Sequence, residues 1–131
     1  TPIKSSAASD VYKRQVHEGP HALNGRNTTL MRPGMIVTDE PGVYETDLVG
    51  IRIENELVCV HKADNQYGTF LGFEPIMFVP IATSPIVPGV LTKDELDWLN
   101  NYHRQVFEKL APRLNDEERE WLAKKCAAIG C

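Results

Sequence analysis

The sequence contains no apolar run approaching the ~20 residues that a bilayer-spanning helix needs, which excludes a helical membrane span. Its three cysteines, Cys59, Cys126 and Cys131, are odd in number and scattered. They form neither a CxxC pair nor a disulfide framework, and this sparse usage fits a reducing cytoplasm. Charge of one sign is also scarce. Fourteen basic against 18 acidic residues leave a net charge of −4, which provides no footprint for nucleic acid or an anionic membrane. There is no internal repeat, low-complexity tract, glycine-rich phosphate loop or nucleophilic serine elbow. What is left is ordinary globular composition, 42% hydrophobic and 24% charged, in a length that suits one small domain.

The informative stretch runs from Arg32 to Val60. Pro33-Gly34 suits a type II turn, with proline setting φ at the first central position and glycine supplying φ > 0 at the second. Met35 to Val37 is a short β-prone run that ends in two acids, Asp39 and Glu40. Pro41-Gly42 then stops the ladder, because proline has no N–H to donate. A second strand is expected over Gly50 to Val60. Its two-residue period puts Ile51, Ile53, Asn55, Leu57 and Cys59 on one face, with Arg52, Glu54, Glu56, Val58 and Val60 on the other. This is the pattern of a half-solvated strand, except that the charged face turns apolar at Val58 and Val60. On the alternative reading Glu54 is partly buried and must be paired or bound to a cation. Cys59 reads as a small buried hydrophobe, and Tyr44-Glu45 as loop.

These residues carry a family resemblance. Thr38-Asp39-Glu40-Pro41-Gly42, then Gly50-Ile51-Arg52-Ile53-Glu54-Asn55, preceded by Val16-His17-Glu18-Gly19-Pro20, resemble the distal half of the Xaa-Pro aminopeptidases (aminopeptidase P). The resemblance runs from Val16 to about Lys125 and is specific because three motifs occur in order. It implies an α+β chain: the distal part of a pita-bread (creatinase/aminopeptidase) fold, with antiparallel strands followed by a C-terminal two-helix extension. The implied enzyme hydrolyses the N-terminal Xaa-Pro bond of a peptide with proline at position two, using water activated by two divalent metal ions. The implied roles are Glu40 as a ligand to one ion that also handles the water proton, Glu54 as a bridge between both, and His17 as the residue that holds the substrate beside the metals. Arg52, on the same strand face as Glu54, would orient the carboxylates. It also reads as a plain cross-strand ion pair, and His17 as a solvent-exposed loop histidine. Carboxylate and imidazole donors suit Mn²⁺ foremost, with Co²⁺ or Zn²⁺ as alternatives.

Residues 1–15 show no sustained periodicity and lack the apolar core of a signal peptide. The resembled family has a glycine-rich segment with a metal-binding histidine here, and this sequence does not. The expectation is a truncated reading frame with a spurious leader over 1–15, the C-terminal part of a catalytic domain over 16–66, and the extension over 67–131. His21 matches no family feature and reads as a surface or supporting residue. His61 to Gly68 reads as a polar connector, and Thr69 to Ile81 as one or two strands broken at Pro75 and Pro80.

Thr92-Lys93-Asp94-Glu95 is a capping box, followed by Leu96, Leu99, Tyr102, Val106 and Leu110 at helical spacing. A second helix should start after Asn115 on Asp116, Glu117 and Glu118, with Trp121 and Leu122 as buried anchors. Trp98 reads as core or subunit-interface packing, and His103 as a solvated helix histidine.

The resemblance implies a homodimer through the extension, in the cytoplasm. Two other readings stay open: a non-catalytic pita-bread-related module for dimerisation or peptide binding, and a prolidase-type dipeptidase. The Phe73-Glu74-Pro75 segment favours aminopeptidase P over the latter. With two glutamates but no further metal ligands, the isolated chain is expected to be inactive. Its exposed strand edges should make it poorly soluble or oligomeric.

Overall fold

The computed structural model describes residues 19–130. The leader expected over 1–15, and His17, lie outside the described residues. Five strands precede two helices, and the chain divides into two compact units after Met77. The sequence places the start of the extension earlier, at residue 67.

In the first unit Met35 N–H donates to the Arg32 carbonyl at 3.1 Å, and Gly34 has φ 91°, as the type II turn requires. Strand β1 (Ile36–Asp39) follows, then β2 (Gly42–Glu45), β3 (Val49–Arg52), β4 (Asn55–Asn65) and β5 (Gly68–Pro75). The strands form an antiparallel sheet in the order β1-β4-β5 and a separate β2-β3 ribbon. The strand expected over Gly50 to Val60 is therefore two strands, β3 and β4, separated at Ile53-Glu54. The break has a partner across the ladder. Asp39 pairs with Asn55 and Gly42 with Arg52, so one register runs through both sheets and is interrupted where Glu40-Pro41 faces Ile53-Glu54. Proline at position 41 removes a ladder donor there. Ile53 N–H donates across the gap to the Pro41 carbonyl at 3.2 Å.

Tyr44-Glu45 is strand rather than loop. The ring of Tyr44 lies across the ribbon, where glycines leave room for it. A Cβ at Gly42 would come within 2.7 Å of the tyrosine oxygen, and one at Gly50 within 3.2 Å of the ring. Asp47, with φ 57°, turns the tip, and short polar side chains tolerate that region best.

The polar connector expected over His61 to Gly68 is instead the end of β4, a turn and the start of β5. Its polar side chains pair with one another: His61 Nε2 with Asp64 at 2.8 Å, Thr69 Oγ1 donating to Asp64 at 2.7 Å, and Lys62 with Glu74 at 2.7 Å. The Thr69 hydroxyl and then His61 hold the Asp64 carboxyl below its usual range. A strand wet on both faces has no hydrophobic alternation to reveal it, and its partner strand defines it. Between Leu71 and Phe70 the register shifts by one residue on β4, a bulge at Lys62. Val37 and Cys59 are the buried apolar residues of this unit.

The second unit is built on helix α1 (Lys93–Leu110), a 3-10 turn (Ala111–Arg113) and helix α2 (Asp116–Lys125). Both helices open on capping boxes, Thr92 with Glu95 and Asn115 with Glu118. Tyr102, Val106 and Leu122 form the buried cluster, against which Phe78, Ile81, Phe107 and Leu110 pack. Four hydrogen bonds from three side chains tie irregular chain to α1. Tyr102 Oη donates to the Val79 carbonyl at 2.9 Å, and Ile81 N–H donates to His103 Nε2 at 3.1 Å. Asn100 grips the backbone of Ile129 through both amide atoms at 3.0 Å.

Two expectations fail in this unit. His103 is fully buried, because the Ile81 N–H needs an acceptor that only an unprotonated ring nitrogen supplies. Trp121 is 56% exposed, because Leu122 alone fills the slot at that turn of α2, and Lys125 lies over the indole at 5.7 Å. Trp98, expected in the core or at a subunit interface, is 61% exposed with one face stacked on Tyr102 at 5.9 Å, so of the two expectations only the interface stays open.

Two predictions follow from this packing. Leu122→Ala should destabilise the helical unit by roughly 2–5 kcal/mol through cavity formation, whereas Trp121→Ala should stay within about 0.5 kcal/mol. Chemical denaturation followed by circular dichroism distinguishes them. Burial pushes the His103 imidazole below its ordinary value, so the folded state binds fewer protons than the unfolded one. Stability of this unit should then fall as pH drops below about 6.5, where the unfolded histidine begins to titrate, and go on falling until the lowered folded value is passed. His103→Gln, which keeps an acceptor but does not titrate, should flatten that slope in denaturation measured between pH 7.5 and 5.

Candidate active site

The site is the interruption of the ladder. β1 delivers Glu40 as it leaves one sheet, and β3 delivers Arg52 and then Glu54 as the chain returns to it. Because the register continues across the gap, the two glutamates face each other. Like charges directly opposite in an antiparallel pair repel. Arg52 lies between them, with Nη1 3.5 Å from Glu40 Oε2 and Nη2 3.3 Å from Glu54 Oε2. The two carboxylates are 28% and 30% exposed against 50% for the arginine, so the acids are the more enclosed members. The guanidinium's planar fork suits two carboxylates held apart at fixed positions, whereas a lysine would offer a point charge.

Thr38 completes the set from β1. Its Oγ1 donates to Glu40 Oε1 at 2.8 Å, leaving the guanidinium on the other oxygen and so fixing the orientation of the carboxylate. Sequence reasoning passed over Thr38, although its two-residue spacing from Glu40 along a strand was the available signal. Asp39 is exposed and takes no part in the Glu40–Arg52–Glu54 contacts.

Before β1, the loop over residues 20–29 is organised around one carbonyl. Asn27 Nδ2 and Thr29 Oγ1 both donate to Pro20 O, at 2.7 and 3.1 Å. Asn24 Oδ1 accepts from the backbone N–H groups of Arg26 and Asn27 at 2.9 and 3.0 Å. Between this loop and the end of β1 lies a cavity of about 590 Å³, lined by His21, Asn24, Asn27, Thr38 and Glu40 among others.

The structure thus brings together Glu40, Arg52 and Glu54 of the expected residues, while His17 lies outside the described ones. The facing carboxylates fit a divalent cation: both are oxygen donors, both are partly withdrawn from water, and their mutual repulsion already calls for positive charge between them. Among the described residues no three His, Cys, Asp or Glu side chains converge as a metal cluster.

Comparison with known proteins gives the family. The model of metallopeptidase family M24 matches residues 12–61, and that of the C-terminal region of peptidase M24 matches residues 69–129. Aminopeptidase P2 of Arabidopsis thaliana is 46% identical over 114 residues, covering 82% of this chain and 16% of the relative. A probable Xaa-Pro aminopeptidase P of Coprinopsis cinerea is 40% identical over 122 residues, covering 87% of this chain and 20% of the relative. Among solved structures, the X-prolyl aminopeptidase of Caenorhabditis elegans, described as a cytosolic enzyme with a dinuclear active site, superposes with a TM-score of 0.69 at 36% identity. That match covers 87% of this chain and 20% of the nematode enzyme. This chain spans a fifth or less of the length of these relatives. With both its strand region and its helical region matched, the chain belongs to metallopeptidase family M24, of which it carries a distal part of the pita-bread fold and the C-terminal region.

Proposed function

We infer that this chain is the distal portion of a metal-dependent Xaa-Pro aminopeptidase, an enzyme that removes the N-terminal residue from peptides with proline at position two. The observation that carries this reading is the opposition of Glu40 and Glu54 around Arg52, at a ladder break that serves no purpose in a plain sheet. The aminopeptidase P names of the relatives and the dinuclear site described for the nematode enzyme support it.

Two bound divalent ions, Mn²⁺ foremost with Co²⁺ or Zn²⁺ as alternatives, would supply a polarised scissile carbonyl and an acidified water. The chain's own residues do the rest. Glu40 and Glu54 would hold the ions, and Glu40 would take up the proton of the attacking water. Thr38 and Arg52 keep the carboxylates aimed while charge around them changes. His17 steadies the peptide beside the scissile bond. We further assign a cytosolic location, after the nematode enzyme, and a homodimer in which the C-terminal region takes part. The exposed faces of Trp98 and Trp121 fit a subunit interface.

The test is release of the N-terminal residue from an Xaa-Pro-Xaa peptide with Mn²⁺ added. It would use this chain alone and the chain joined to the upstream part of the Arabidopsis relative. The joined protein should be active and the isolated chain inactive. In the joined protein, Glu54→Ala should abolish stoichiometric metal binding, and Arg52→Gln should cost about 10–100-fold in metal affinity or turnover. Unchanged metal content and turnover in Glu54→Ala would overturn the assignment of that residue.

A further inference from the structure

His21 lines the cavity beside Glu40, and it hydrogen-bonds the strand that delivers Glu40. Its Nε2 lies 2.8 Å from the carbonyl oxygen of Ile36, the first residue of β1. A carbonyl only accepts, so this nitrogen carries the proton and donates. In the neutral ring the other nitrogen, Nδ1, is then bare, and it is buried with no partner among the described residues. A ring free to turn would offer that nitrogen to water. The bond to Ile36 therefore holds the ring where it is.

The position of the bond matters. Among the described residues β1 lies at the edge of its sheet, paired with β4 on one side and with no strand on the other. His21 takes its Ile36 carbonyl. The loop behind His21 is itself braced by the two side-chain donors on the Pro20 carbonyl and by Asn24. A braced loop joined to β1 by one bond moves with β1 as a unit. Four residues before His21 along the chain is His17, and four residues after Ile36 is Glu40. His21 and Glu40 line the same cavity.

We propose that His21 is a positioning residue: by donating Nε2–H to the Ile36 carbonyl, it sets the 20–29 loop against the strand that carries Glu40, and so fixes the loop wall of the cavity relative to that carboxylate. This rests on the aminopeptidase reading for its consequence but not for its geometry, and the test separates the two.

On the present chain, long-range ¹H–¹⁵N correlation of the histidine rings should show His21 as the Nε2–H tautomer, with that proton exchanging more slowly than the ring protons of exposed His61. The Nδ1–H tautomer, or rapid exchange, would overturn the clamp whatever the enzyme does. In the joined protein, His21→Phe keeps the ring volume and removes the donor, while His21→Gln returns a donor at the reach of Nε2. His21→Phe should lower kcat by about tenfold to a hundredfold, the scale of a small displacement of reacting groups. KM and metal content should stay within about twofold, and His21→Gln should recover most of the loss. Equal kcat in His21→Phe and the parent, or a loss borne by metal content, would overturn the positioning role. An inactive parent would count against the aminopeptidase reading, and the tautomer measurement would then decide the clamp alone.

Discussion

The first unit depends on a conflict between two like charges. Glu40 and Glu54 stand opposite each other because the hairpin register allows nothing else: the pairs Asp39–Asn55 and Gly42–Arg52 fix the residues between them. A continuous ladder would force these carboxylates together with no cation between them. The chain instead opens the ladder at Pro41, where a donor is missing in any case, and brings Arg52 back from β3 to lie between the acids. At half exposure the two ion pairs contribute little to stability. Their value is geometric, since a guanidinium bonded on two sides holds both carboxylates at fixed positions. Thr38 does the same for the remaining oxygen of Glu40.

The helical unit solves a different problem. It has few buried residues, and its irregular stretch, Phe78 to Ile81, would carry unsatisfied backbone groups against an apolar helix face. Tyr102 and His103, adjacent on α1, meet one acceptor and one donor of that stretch, the Val79 carbonyl and the Ile81 N–H. Tyrosine supplies a donor and neutral histidine an acceptor. Replacing either residue by an apolar one of similar size would keep the packing and leave a backbone group without its partner.

Much of this was legible in the sequence, and the failures have physical causes. Local chemistry read correctly: Pro33-Gly34 as a turn, the Thr92 capping box, the start of α2 after Asn115, and the α1 stripe from Leu96 to Val106. These signals lie within a few residues of one another. The misreadings all depended on partners distant in sequence. Alternation from Gly50 to Val60 continues through Ile53-Glu54, and only the facing Pro41 reveals the break. His61 to Asn65 is strand because β5 pairs with it, not because of its own composition. His103 is buried because a backbone N–H 22 residues away needs it. Trp121 was assigned to the core on size, but one neighbouring leucine was enough to fill the space. Thr38 was within reach, since the period that placed it beside Glu40 had already been applied to the facing strand.

The single register running through both sheets turns the ribbon tip into a ruler. Each residue added to one arm between Glu40 and Glu45, or between Val49 and Glu54, would slide one acid past the other and turn its side chain to the opposite face of the strand. Residues added between Thr46 and Leu48, beyond the Glu45–Val49 pair, would change no distance at the acids. Length is thus strictly counted along the two arms and free at the turn. That gives the molecule a place where sequence can be inserted, such as a label, a tether or a binding peptide, close along the chain to the acids and without altering their spacing.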